Sequence, residues 1–398
     1  MNFSDFFTDL GLKTPDKCFE GTFTSALEEY KNDGVFFLDN EYIDHINSFE
    51  YCISNYIGDA KRAAKKILER KHLAVYALFL YRAMQQRQSF MKHINEFEFP
   101  KDDGAECDLL PFLVIITAIP KLHESLKKRG VPSDIIAQTL RQFEDCVYLT
   151  EERTGRPGYL KRYFDHMQGY IDEKLLNIGR LRFEMIPKLY GNIWVLENTK
   201  GELTILFDGA EINSAGMLLG TPPACENQNS THASVMETQD SFIGRCADSF
   251  GKCVKEPSEY PKSEWHLRLK KGDPVLGVHI PSKGALTKEA CEESYARACE
   301  VFRNCYPEFE FKAFHCRSWM LDPKLRECLP ENSNILAFQK KYTLYAGKTD
   351  GKAVFNFVFK MQSEEYKDLP EDTTLQRALK KLYLDGKYIY ELSGIIVC

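Results

Sequence analysis

Along the first half of the chain, apolar residues recur three and four positions apart. Between residues 59 and 91, Ala63, Ile67 and Leu68, then Val75, Leu78, Phe79 and Ala83, fall on one face of a helix whose other face is basic. Leu109–Lys128 predicts a second helix, ended by Gly130 and Pro132. Ser133 then caps a third, with Ile135, Ile136, Leu140 and Phe143 as its buried stripe. Thr154–Gly158 reads as a loop and Tyr159–Leu176 as another amphipathic helix. From Gly179 the period falls from about 3.6 to about 2, which divides the chain into residues 1–177 and 178–398.

Beyond that boundary the pattern is that of strands. Leu181–Met185 alternates apolar with charged residues, and Asn192–Glu197 and Leu203–Phe207 are joined by the hairpin turn Asn198–Gly201. Ser214–Ser249, rich in Gly, Pro, Ser, Thr and Asn, reads as a long excursion with a short helix at Met236–Phe250. Trp265–Leu269 and Val275–Ile280 flank Lys270–Asp273 as an antiparallel hairpin. Next come a helix at Lys288–Asn304, a strand at Phe311–Met320, a helical piece after Asp322-Pro323 and a helix at Asn334–Lys341. Thr343–Ala346 and Ala353–Phe359 are expected to pair through Lys348–Gly351, and the helix Thr374–Tyr383 leads to an apolar tail. The expected class is α+β: an all-α domain over 1–177, then an α/β domain over 178–398 with a mixed, mostly antiparallel sheet.

Composition narrows the functions. The 398 residues suit two domains, and 43% hydrophobic with 28% charged residues are globular proportions. Lys+Arg 52 against Asp+Glu 58 gives a net charge of −6, with no excess to neutralise phosphates, so nucleic acid is not an expected partner. The basic run Lys61-Arg62, Lys65-Lys66, Arg70-Lys71 is interrupted by Glu69 and preceded by Asp59, as on a solvated helix face. A helix-turn-helix reading of residues 126–143 fails because Asp134–Phe143 carries Arg141 as its sole cation. The 13 cysteines are scattered and never form a C-x-x-C pair, so neither a disulfide framework nor a zinc ribbon is indicated, and a reducing, cytoplasmic setting is expected. The start Met-Asn-Phe-Ser-Asp has no secretory pattern, and the run Leu109–Pro120 falls short of the ~20 residues that span a bilayer. No membrane is therefore expected.

The most informative chemistry lies in Gly277–Thr287, a strand, a glycine turn and a helix start. Such a turn directs successive backbone N–H groups towards an anion at the helix N-terminus, and Lys283 adds a cation. The structural alternative is an ordinary turn in which Gly284 supplies a positive φ and Thr287 caps the helix. His279, on the strand before the turn, can take a proton from an amine, or can be a strand histidine bonded to a neighbour. Glu184 is a second candidate base, with pairing to Arg180 or Arg182 as the plainer role. His315 and Cys316 are adjacent on a strand, point to opposite faces and so cannot act on each other.

The order of these elements resembles the GNAT acyltransferase fold. Three segments look more closely like a bacterial family that joins a helical N-terminal domain to a GNAT-like C-terminal domain: Ile178–Glu184, Val278–Leu286, and Ser318–Pro323 with Leu329-Pro330 and Ser333–Ile335. The start Val131–Ile135 also fits. The resemblance implies that Ser282, Lys283, Gly284, Ala285, Leu286 and Thr287 hold the pyrophosphate of an acyl-CoA, acetyl-CoA included. The usual loop, Gln/Arg-x-x-Gly-x-Gly/Ala, is reduced here to its central glycine and a small neighbour. Asn334 and Ala337 match a second signature and place Asn334 among the cofactor-binding residues. Tyr342, one position later than usual, would protonate the leaving thiolate, and His279 or Glu184 would serve as base. The implied reaction is direct attack of an amine or other small nucleophile on the thioester, without a metal, with the helical domain shaping the acceptor site. A catalytically silent module that binds a nucleotide, a metabolite or a protein is the alternative, kept open by the missing second glycine.

Overall fold

Packed phenyl rings organise the first part of the chain. In the computed structural model, which describes residues 2–100, 105–221, 230–361 and 365–398, Met1–Asn177 and Ile178–Cys398 form two compact units. The first is built from α1 (Phe3–Asp9), α2 (Glu20–Asp33), α3 (Asn40–Asn47), α4 (Ile57–Leu68), α5 (Lys71–Gln85), α6 (Arg87–Lys92), α7 (Leu110–Ile115), α8 (Ile119–Lys128), α9 (Ser133–Thr154) and α10 (Lys161–Ile171). Phe6 lies 4.7 Å from Phe23 with the rings tilted, and Phe7 lies 5.3 Å from Phe79 edge to face, centroid to centroid, so α1, α2 and α5 share an aromatic core.

The helical expectations hold in type and shift in extent. Residues 59–91 are three helices and not one, because Arg70 is extended (φ −120°, ψ 90°) and Gln86 also leaves helical geometry. Packing imposes the break: α4 buries one face, whereas every residue of α5 from Leu73 to Leu80 is buried. The predicted helix 109–128 divides at Ile116–Ala118, a 3₁₀ turn, with Pro111 and Pro120 each in the first turn of its own helix. Proline lacks the N–H that an interior position needs. By length and composition alone Cys107–Lys128 could cross a bilayer, yet most of it is buried inside this unit. Pro132, not Ser133, is the N-cap of α9, and no side chain caps that end. The helix expected at 159–176 stops at Ile171; Glu173 takes φ 56°, and strand geometry starts at Leu175.

Fourteen strands among the described residues follow: β1 (Leu175–Ile178), β2 (Leu181–Ile186), β3 (Ile193–Asn198), β4 (Leu203–Phe207), β5 (Ala210–Ile212), β6 (Thr231–Ala233), β7 (Met236–Glu237), β8 (Ser241–Gly244), β9 (Ser258–Pro261), β10 (Trp265–Lys270), β11 (Val275–His279), β12 (Ala313–Ser318), β13 (Thr343–Ala346) and β14 (Leu392–Val397). The main sheet has the order β1-β2-β11-β12-β14-β13, with β11 and β12 parallel and the pairs β2–β11, β12–β14 and β13–β14 antiparallel. The chain is thus α+β with a mixed, mostly antiparallel sheet. Helices α11 (Lys288–Cys305), α12 (Asn334–Gln339) and α13 (Thr374–Leu384) complete the unit. On one face of the sheet Tyr295 of α11 packs 4.9 Å from Phe314 and 6.0 Å from Phe183.

Three expectations for this unit are corrected. β10 and β11 are not a hairpin: β10 joins β3 and β4 in a separate three-stranded sheet, and the turn Lys270–Asp273 carries the chain from one sheet to the other. Met236–Phe250 is not helical; it holds β7 and β8, which pair through Met236↔Ile243 and Glu237↔Phe242. Ala353–Phe359 is not the partner of β13. It coils into a helical turn that ends in a π-helix at Phe355–Phe359, closed by Lys360 at φ 56°. The four-residue spacing puts the rings of Phe355 and Phe359 at 5.0 and 6.4 Å from Tyr383, contacts an extended segment could not make with both. β13 pairs instead with the apolar tail, which is β14. Residues 222–229 of the predicted excursion lie outside the described residues.

Candidate active site

Parallel pairing between β11 and β12 runs through Leu276↔Phe314, Gly277↔His315 and Val278↔Cys316, and goes no further. β11 continues beside β2 to His279↔Arg182, and β12 continues beside β14 to Ser318↔Leu392. The two central strands therefore cease to pair just where β11 leads into the turn singled out from the sequence.

At this end of β11 the structure brings two of the predicted residues together. Glu184 faces Gly277 across the β2–β11 ladder, and His279 sits two residues on along the same face, so their side chains meet diagonally. His279 Nε2 lies 2.8 Å from Glu184 Oε2. Their side chains are 42% and 35% exposed, enough for a substrate to reach them. Gly277 makes room for this: a Cβ there would come within 2.7 Å of Ile186 Cδ1 and 3.4 Å of Glu184 Cβ. An ionised carboxylate can only accept, so the bond assigns the proton of a neutral imidazole to Nε2 and leaves the lone pair on Nδ1.

The turn that follows is exposed from Ser282 to Ala285, with Leu286 folded inward and Gly284 at φ 87°. Thr287 caps α11, its side chain accepting from Ala290 N at 3.3 Å. Sequence reasoning placed Arg180 beside Glu184; the structure sets it against the turn. Its Nε donates to Ala285 O at 3.1 Å, and its Cδ and Nε lie 3.8 and 3.7 Å from where a side chain on Gly284 would begin. The backbone is anchored too, since Arg180 N donates to Ser294 Oγ at 2.8 Å and Ser294 Oγ donates to Ala290 O at 2.8 Å. Gly179, at φ 62°, allows that approach, because a Cβ would meet Ser294 Oγ at 2.7 Å. Arg180 Nη1 is buried without a hydrogen-bond partner, and burial pulls the guanidinium below its usual pKa range. A desolvated cation with an idle donor, beside a run of exposed backbone amides, is a favourable place for an anion.

Tyr342 and Asn334 come from other elements. Tyr342 lies beyond the end of α12, its N donating to Gln339 O at 3.1 Å, and its side chain passes over Gly394 of β14, where a Cβ would lie 2.8 Å from Tyr342 Cβ and 2.9 Å from its ring Cδ1. Its hydroxyl meets that of Tyr295 on α11. Burial pushes the Tyr342 hydroxyl well above the ordinary tyrosine range, and the buried thiol of Cys316 up to about 12, so both hold their protons. Tyr342 also lines a cleft of about 350 Å³ with Thr204, Asp248, Arg326 and Lys340, which His279, Glu184 and the turn do not reach. Asn334 is the exposed first residue of α12, behind the cap that Ser333 Oγ provides to Ile335 N.

On β12, beside Gly277, His315 Nε2 is 3.1 Å from the hydroxyl of Tyr345. Burial, and after it Arg317, lowers its pKa to about 4 from the usual 6.5. The folded protein therefore binds this proton less readily than the unfolded chain, and stability falls as pH drops from about 6.5 to about 4. The full shift corresponds to about 3 kcal/mol. A His315→Asn variant should show a shallower loss of Tm over that range than the parent; parallel curves would remove His315 from the acid response.

A family model for the GNAT-like C-terminal domain matches residues 175–396, and one for the N-acyltransferase N-terminal domain matches residues 54–163. Among solved structures, the chain is similar to an acyltransferase in complex with CoA and 10C-teicoplanin, at 18% identity and TM-score 0.63 over 100% of this chain and 99% of that one. It is similar also to an acyltransferase in complex with decanoyl-CoA and teicoplanin, at 18% identity and TM-score 0.60 over the same shares. A mutant acyltransferase in complex with octanoyl-CoA, 17% identical, gives TM-score 0.63, again over 100% of this chain and 99% of that one. At such identities the likeness is one of fold. No curated protein sequence matches the chain.

Proposed function

The chain belongs to the family of the GNAT-like C-terminal domain, with a match to the N-acyltransferase N-terminal domain ahead of it, and on that premise we propose that it transfers an acyl group from an acyl-CoA to an amine or other small nucleophile. One observation carries the reading. The parallel strands stop pairing at Val278↔Cys316, and the open end is flanked by the His279–Glu184 pair and by an exposed turn backed by Arg180. The CoA, octanoyl-CoA and decanoyl-CoA held by the structural neighbours support an acyl-CoA donor, and their teicoplanin supports a small-molecule acceptor.

In this reading the amides of Ser282–Thr287, with Lys283 and Arg180, receive the pyrophosphate at the N-terminus of α11. The acceptor amine attacks the thioester carbonyl, its nitrogen forming the new C–N bond as the C–S bond breaks. His279 Nδ1 takes the amine proton while Glu184 holds the imidazole from behind and stabilises its charge. Tyr342, kept protonated by burial and with its hydroxyl beside Cys316, where the pairing of β11 with β12 ends, is the donor proposed for the departing thiolate.

Titration with CoA, acetyl-CoA, octanoyl-CoA and decanoyl-CoA should raise Tm in a concentration-dependent manner. A thermal shift with some other ligand and with none of these would favour the silent binding module. In Gly284→Glu a carboxylate meets the phosphates from a backbone angle that suits glycine, so acyl-CoA affinity should fall by tenfold or more, an estimate of about 1.4 kcal/mol or above. Unchanged affinity would remove the turn from the site.

A further inference from the structure

In the first unit, Asp16, Cys18 and His93 bring a carboxylate oxygen, a sulfur and a ring nitrogen within 4.8 Å of one another. Asp16 opens the 3₁₀ turn Lys17–Phe19 that leads into α2, and its Oδ1 accepts from Cys18 N at 2.9 Å, which fixes the two side chains as neighbours. His93 comes from a distant part of the sequence, where it is the C-cap of α6. Glu96 ties the two segments together: Oε1 lies 2.8 Å from His93 Nδ1, and Oε2 accepts from Asp16 N at 2.8 Å. A carboxylate behind Nδ1 fixes the proton there and leaves Nε2 with the lone pair that a metal takes, the arrangement usual for ligating histidines. Asp16 and Cys18 precede the residues matched by the N-terminal family model, 54–163, whereas His93 and Glu96 lie within them.

We propose that Asp16, Cys18 and His93 bind a divalent zinc-class cation, with Glu96 orienting the imidazole and solvent completing a fourth position. The donor set selects the metal. A thiolate with an imidazole is unsuited to calcium or magnesium, while oxygen, sulfur and nitrogen at bond lengths of about 2.0–2.3 Å suit tetrahedral zinc. Those bond lengths put ligand atoms roughly 3.3–3.8 Å apart, so the cluster closes by about an ångström. The carboxylates of Asp16 and Glu96 offset the nearby cation of Lys92. On binding, Cys18 gives its thiol proton to solvent as the sulfur–metal bond forms, and the metal takes over the link between the turn before α2 and the end of α6.

The test uses the full chain, reduced and freed of metal by chelation, and titrated with Co²⁺. A thiolate-to-cobalt charge-transfer band should saturate at one equivalent and disappear when Zn²⁺ is added. The band should be absent in Cys18→Ser, and Glu96→Gln should weaken Co²⁺ binding about 10–100-fold. Zn²⁺ should raise Tm for the parent and leave Cys18→Ser unmoved. Cys18 is exposed, so that variant folds, which an unchanged metal-free Tm verifies. A band that persists in Cys18→Ser, or none in the parent, overturns the proposal.

Discussion

Alanine in place of His279 should lower kcat by about 10²–10⁴-fold, the usual share of a positioned general base, while KM for acyl-CoA moves little. The imidazole is part-exposed and its hydrogen-bond partner is a carboxylate that water can serve equally well, so Tm should stay within a degree or two of the parent, an estimate drawn from surface substitutions. Glu184→Gln separates orientation from charge. A carboxamide can donate to Nε2, which shifts the imidazole proton to Nδ1 and turns the atom meant to accept the amine proton into a donor. The kcat of that variant should fall, and its pH–rate profile should move; a Glu184 that merely supported the strand would change stability and leave the profile in place. A His279→Ala enzyme that keeps kcat near the parent value removes His279 as the base.

Arg180→Ala should show the complementary signature. If the part-buried guanidinium contacts the phosphates as proposed, its loss should raise KM for acyl-CoA by roughly 10²-fold, on the order of 2–3 kcal/mol, with kcat little altered. Lysine at this position restores the charge but not the fork that holds Ala285 O and leaves Nη1 free for a second acceptor, so Arg180→Lys should recover a minor part of the affinity. If the role of Arg180 were only to brace the turn, alanine would lower Tm and leave KM unchanged, which would rule out a phosphate contact.

Much of this was legible in the residues. The change of period announced a switch from helices to strands, and Gly277–Thr287 declared a strand, turn and helix by its glycine and its threonine cap. What the sequence could not convey were relations set by tertiary pairing. Trp265–Leu269 and Val275–Ile280 have the alternation and the turn of a hairpin, yet each strand finds its partner elsewhere, since side-chain period reveals that a strand exists and not which sheet takes it. Ala353–Phe359 is dense in β-formers, but burial against Tyr383 favoured coiling. In the site, Glu184 was visible as a lone carboxylate on a polar strand face; its partner depended on the β2–β11 register. Arg180 reads in the sequence as a partner of Glu184 because arginine beside a strand ordinarily pairs with an acid on that strand, and the approach of Gly179 to Ser294 turns it to the loop.

The position of β14 also governs the order in which the molecule can assemble. Residues 392–397 lie between β12 and β13 and are hydrogen-bonded to both, so the sides of those two strands that face β14 stay unpaired until residues 392–397 have been made. Closing that gap joins segments separated by dozens of residues, a contact of high sequence separation that slows folding. The helical unit uses none of β12, β13 or β14, so its own contacts can form while the sheet is still open. Deleting residues 392–397 should therefore do more than shorten the protein: it would leave the β14-facing sides of β12 and β13 bare and open to pairing with another chain.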